Sequence, residues 1–121
     1  MYCSHNHPLF KADEVTATAI RGLRIVARTY MHAGDLKLLG VSLASALIDN
    51  VEAQTLLILT GEYIGFLPSH YAQQWVGKGQ LRALLPEQLF YSSDMELIVK
   101  SGAFRSPVLT AFLEELTGLI L

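Results

Sequence analysis

An α/β fold with a mainly parallel sheet and flanking helices is the class this sequence predicts, and three observations point to it. The stretch "VSLASALI", "DNVEAQTLLILTG", "YIGFL", "SHYAQQWV" (41–76) alternates strand-like and helix-like segments in the tempo of a βαβ unit with a right-handed crossover. "YIGFL" is a short, wholly apolar run, the signature of a parallel strand buried on both faces. Third, 51% of the 121 residues are hydrophobic and only 17% charged, ample apolar material for the core of one domain and too much for a disordered chain.

The elements follow in order. Residues 1–6 read as a short strand that "HPLFKADEV" ends, because Pro8 has no N–H to give a ladder. "TATAIRG" reads as a short helical turn stopping at Gly22, and "LRIVART" is β-branched enough for a strand. "YMHAGDLKLLG" reads mostly as loop, with at most a turn of helix. "VSLASALI" is the next strand. Asp49 then offers an N-cap with Glu52 three residues on, the spacing of a capping box, and Gly61 is placed to end the helix. The run Leu56–Leu59 is apolar on nearly all sides, which predicts deep burial. After "YIGFL", Pro68 opens a helix that closes at Gly77, "QLRALL" alternates as a strand, and "LFYSSDMELIVKS" reads as a longer strand with one exposed face. Ser106 as N-cap and Pro107 at the first helical position start a terminal helix. Its residues Leu109, Phe112, Leu113 and Leu116 fall on one face, so it should be amphipathic.

Charge and composition exclude several functions. Net charge is −2, and the nine Lys and Arg residues are scattered, without the basic stripe that holds a phosphate backbone. One cysteine cannot build a disulfide framework within the chain. No basic segment followed by an apolar run opens the sequence, and no apolar stretch is long enough to span a bilayer. A cytoplasmic protein with no membrane partner is expected.

The opening "MYCSHNHPLF" puts Cys3, His5 and His7 on one face of an extended strand, and these are zinc-ligand residue types. A zinc site needs four ligands, or three and water, and His32 and His70 lack useful spacing. The plainer reading is a strand end and a His7-Pro8 turn, with no metal. "GEYIG" lacks the Lys-Ser/Thr of a phosphate loop, and its glycines do not lie between a strand and a helix. Gly61 reads as a helix stop and Gly65 as a point of close backbone packing. No nucleophile elbow is present, and Glu114-Glu115 read as a solvated helix face, so no catalytic residue and no cofactor are expected. What remains is the rule that ligands of open parallel sheets gather at the carboxyl ends of strands, beside helix N-termini. Those places are Arg28-Thr29, Asp49-Asn50 and Ser69-His70. If Asp49 caps its own helix, Asn50 and the backbone N–H groups are left for a ligand. Thr29, Asp49 and Asn50 are the candidate site residues.

Several collinear segments resemble one family. "CSHNHPLF", "AIRGLRIVART", "IDNVEAQTLLILTGEYIGFLPSHYA", "KGQLRALLP" and "SPVLTAFLEEL" are similar, in order and spacing, to the effector-binding domain of LysR-type transcriptional regulators. The resemblance implies one lobe of a type 2 periplasmic-binding-protein-like fold, a small-molecule effector held between two lobes, and homo-oligomers. By the same resemblance, His7-Pro8-Leu9 is a structural landmark after a crossover strand. Residues 1–121 would be a partial domain, with about 6–89 the second lobe and about 90–121 a segment returning to the first. The family binds DNA through an N-terminal helix-turn-helix that this stretch does not contain, so DNA would be a partner only through that absent part. The implied role is sensing, not catalysis. The alternative reading is a piece of a transporter's solute-binding protein, or of an enzyme, with the same two-lobed fold.

Overall fold

The computed structural model describes residues 1–102 and 106–120. It divides into two compact units, Met1–Tyr91 and Ser92–Leu121. The first holds four short strands, β1 (Tyr2–Ser4), β2 (Val26–Arg28), β3 (Ala46–Ile48) and β4 (Leu81–Ala83), and four helices, α1 (Ala17–Arg21), α2 (His32–Leu39), α3 (Val51–Leu59) and α4 (Ser69–Gly77).

β2 and β3 pair in parallel, with Arg28 opposite Ile48, and β1 and β4 pair antiparallel, with Cys3 opposite Arg82. The "YIGFL" run lies between them. Ile64 bridges Ile25 in parallel and Gly65 bridges Tyr2 antiparallel, so the order across the sheet is β3, β2, Ile64-Gly65, β1, β4. Residues 64–67 are buried, as the unbroken apolar run requires. Gly65 allows this closeness: a Cβ there would stand 2.8 Å from the Val26 carbonyl oxygen and 3.0 Å from the Gln54 side chain. Apolar side chains fill both sides of the sheet. Ile20, Ile25, Leu39, Ile64 and Phe66 form one cluster, and Val26, Ile58, Leu67, Ala72 and Leu81 the other.

Local chemistry accounts for the helix ends. The Thr16 hydroxyl accepts from the Ala19 N–H at 3.2 Å to start α1, and Gly22 ends it. After β1 a 3-10 turn, Pro8–Phe10, follows directly, with His7 Nδ1 accepting from the Leu9 N–H at 3.0 Å. Arg82 ties this turn down, donating from one terminal nitrogen to the carbonyls of Leu9, Phe10 and Ala12 at 2.9, 2.9 and 2.8 Å.

Four sequence expectations are corrected. "YMHAGDLKLLG" is not mainly loop: α2 spans His32–Leu39 and stops where Gly40 takes φ +67° and the Gly40 and Val41 N–H groups close onto the last carbonyls. Leu36 and Leu39 supply its buried face. α3 is less buried than its composition suggests, because Gln54, Thr55 and Ile58 face inward while Leu56 is 66% exposed. Its first capping residue is Asn50, not Asp49. Phe90–Lys100 contain no strand, and most of the segment is exposed. An alternating run needs a neighbouring ladder to become a strand, and none pairs with it among the described residues.

In the second unit, α5 (Pro107–Ile120) starts as expected: the Ser106 hydroxyl accepts from the Leu109 N–H at 3.5 Å and its carbonyl from the Thr110 N–H at 3.0 Å. Leu109, Leu113 and Leu116 are half-buried, and Val108, Phe112 and Leu119 are exposed. Leu121, the last residue of the expected helix, lies outside the described residues.

Candidate functional site

Side by side, β2 and β3 deliver the chain to one edge of the sheet, where Thr29 follows the first strand and Asp49-Asn50 the second. The Thr29 N–H donates to the Ile48 carbonyl at 2.9 Å, which extends the ladder by one bond and fixes the threonine beside Asp49. Its hydroxyl then donates to Asp49 Oδ1 at 3.2 Å. Asn50 Oδ1 accepts from the Ala53 N–H at 2.8 Å and caps α3. Thr29, Asp49 and Asn50 are all exposed. The three sequence-predicted residues therefore form one accessible group. Asp49 is spent on Thr29 rather than on its helix, and the Asn50 side-chain amide keeps its two N–H donors for other partners. On the far side of Thr29, the His32 Nδ1–H donates to the Thr29 carbonyl at 2.6 Å and joins the start of α2 to the same edge.

Ser69 and His70 belong elsewhere. They line an open groove of about 410 Å³ with Tyr2, Gln73, Val76 and Ala83, between α4 and the β1–β4 pair. This groove shares no residue with the Thr29 group.

Immediately behind Thr29 lies a polar cluster that the sequence does not announce. Arg28 is 8% exposed, donates from a terminal nitrogen to the Tyr30 hydroxyl at 3.3 Å, and sits 5.3 Å from the centre of the Tyr30 ring. Asp35, fully buried on α2, accepts from the Tyr91 hydroxyl at 2.6 Å. Arg28 Nε and Asp35 Oδ2 are buried without a hydrogen-bond partner among the described residues. Burial raises the Asp35 carboxyl above the usual range, and the Tyr91 bond and the Arg28 charge pull it partway back. The Tyr91 hydroxyl is raised too, by burial first and then by the carboxylate it serves. Arg28 was visible in the sequence only as a strand-end residue. Tyr91 and Asp35 are 56 positions apart, and no periodicity links them.

The opening histidines are structural. Cys3 is buried in the core, its thiol pushed up to about 11 by desolvation. His5 is exposed and faces the Gln80 carbonyl, while His7 is held by the Leu9 N–H and its basicity lowered by burial. Among the described residues no three His, Cys, Asp or Glu side chains converge as metal ligands.

A parallel strand pair ending in exposed polar residues, just before a capped helix, is an α/β arrangement. Comparison with known proteins gives the family. Residues 1–119 match the LysR substrate binding domain, and the chain belongs to that family. The family is one of transcriptional regulators, not of enzymes. Over 117 residues the chain is 38% identical to the HTH-type transcriptional activator BauR of Pseudomonas aeruginosa, an alignment covering 94% of this chain and 38% of the relative. The chain thus spans well under half the length of that protein. No solved structure matches it significantly. Among the described residues no helix is long and apolar enough to cross a membrane.

Proposed function

We propose that this chain is the ligand-sensing part of a LysR-type transcriptional regulator, working in the cytoplasm. In this reading about 6–89 form the second lobe and about 90–121 the segment returning to the first. A small metabolite effector binds in the cleft between the lobes, with Thr29, Asp49 and Asn50 on one wall. Effector binding shifts the balance between open and closed sensors, and so the geometry of a homo-oligomer on DNA that a separate helix-turn-helix contacts. The observation that carries the reading is the Thr29–Asp49 hydrogen bond across the ends of β2 and β3, which leaves the Asn50 amide and the start of α3 open to solvent. The likeness to a transcriptional activator favours a regulator over a transport protein with the same lobes.

A metabolite screen by thermal shift tests it. Compounds that raise the Tm of the chain should lose that effect in Asn50→Leu, which removes the outward amide. Equal shifts in the two proteins would take Asn50 out of the site.

The exposed Val108, Phe112 and Leu119 on α5 suit the oligomeric part of the proposal, since apolar patches favour association. Light scattering coupled to size exclusion should show a species larger than a monomer at tens of micromolar; a clean monomer would contradict it.

A further inference from the structure

A buried guanidinium ordinarily sits against a carboxylate, because taking the charge out of water is costly unless something compensates it. Arg28 is an exception. It is fixed at the carboxyl end of β2 next to Thr29, yet its one well-formed side-chain hydrogen bond among the described residues goes to the neutral Tyr30 hydroxyl at 3.3 Å, while the Tyr91 hydroxyl and the Asp35 carboxyl lie near enough to feel its charge. Nε has no partner. The one ion pair among the described residues is Arg24–Glu62, elsewhere on the surface, so no carboxylate stands within ion-pair distance of Arg28. Asp35, the nearest acid in the cluster, gives one oxygen to Tyr91 and leaves the other unmatched. Such a planar fork of donors fits the two oxygens of a carboxylate. Tyr30, the group that covers it, is 63% exposed, so its ring can swing aside with little loss of packing.

From this arrangement we infer that Arg28 anchors a carboxylate group of the effector, entering beside Thr29 and displacing the Tyr30 hydroxyl, while Asp35 and Tyr91 hold the pocket floor. The inference rests on the proposed cleft reading and adds the chemical class of the ligand.

Nitrogen–proton NMR spectra of the 121-residue chain, including the arginine Nε–H signals, provide the test. Sodium butyrate is the probe and butyramide its neutral counterpart, at constant ionic strength. Butyrate should shift the Arg28 Nε–H and the Thr29 and Asn50 amides saturably, and butyramide should not. Arg28→Met should abolish the shifts. Arg28→Lys, which keeps the charge without the fork, guards against misfolding and should raise the midpoint at least about fivefold. The anchor is overturned if butyramide matches butyrate, if the Arg28→Lys midpoint is unchanged, or if no Arg28 shift appears by about 50 mM butyrate. Failure of the anchor alone is recognisable: neutral metabolites would still perturb Thr29 and Asn50. If no small molecule perturbs those two amides, the cleft reading falls with it.

Discussion

Arg82 and Arg28 lie in the same compact unit and are treated in opposite ways. Arg82 crosses from β4 to the turn after β1 and satisfies three carbonyls at once. Arg28, more deeply buried, has a single neutral hydroxyl and an unmatched Nε. The difference extends to their surroundings. On the β1 side the polar groups close on one another: the Ser4 hydroxyl donates to the Leu59 carbonyl at 3.0 Å and accepts from the Asn6 N–H at 3.0 Å. Around Arg28 the side chains of Thr29, Asp49 and Asn50 face solvent, and Asp35 also keeps an unmatched oxygen. One group of polar side chains is spent on backbone carbonyls, and the other is partly exposed and partly unmatched. Unmatched buried groups are costly; among the described residues Arg28 Nε and Asp35 Oδ2 lie together behind Thr29, and Gln54 Oε1 is the third, on α3.

Substitution can break this contrast or sharpen it. Arg82→Met should have the largest effect, a loss of about 2–3 kcal/mol in denaturant unfolding, because three carbonyls lose a charged donor. Gly65→Ala comes next at about 1–3 kcal/mol, since the new methyl meets the Val26 carbonyl oxygen, which is backbone and yields only if β2 moves. Arg28→Met should cost less than about 1 kcal/mol or even stabilise the chain, because it removes a buried charge that has no carboxylate within ion-pair distance among the described residues. A loss as large as that of Arg82→Met would erase the contrast.

The smallest effect is pH-dependent and belongs to Asp35. Its carboxyl is raised above the ordinary 3.8, so the folded state holds this proton more tightly than the unfolded chain does. The stability this gives is full below 3.8 and is lost as pH climbs through the raised value. Asp35→Asn keeps an acceptor for the Tyr91 hydroxyl but does not titrate. Unfolding curves across that window should show the variant gaining on the wild type as pH rises. A constant difference would mean that Asp35 is not held in this way.

Much of this was legible in the sequence, and the failures have physical causes. Capping residues and glycine stops gave α1, α3 and α4, and the apolar run 64–67 gave the centre of the sheet. α2 was hidden because Met31, which precedes it, offers no capping side chain. Asp49 and Asn50 are both good caps, and Glu52 favoured Asp49; what decides is Thr29, which claims Asp49 from the neighbouring strand. That partner is remote in sequence, so no local rule could find it. The strand-end rule depends on topology and not on which residue caps; of the places it selects, Thr29, Asp49 and Asn50 come together at the ends of β2 and β3, while Ser69 and His70 lie in a separate groove. Of the Arg28–Asp35–Tyr91 cluster only Arg28 stands out in the sequence, as a strand-end residue; Asp35 lies on the helix that reads as loop, and Tyr91, 56 positions on, in a segment that reads as a strand and is not one.

The central claim is that small molecules are sensed at the ends of β2 and β3. Amide chemical-shift mapping of the compounds that stabilise the chain tests it most directly. The account predicts perturbations concentrated at residues 28–31 and 48–53. Perturbations centred instead on Ser69, His70 and Gln73 in the groove beside α4 would contradict it.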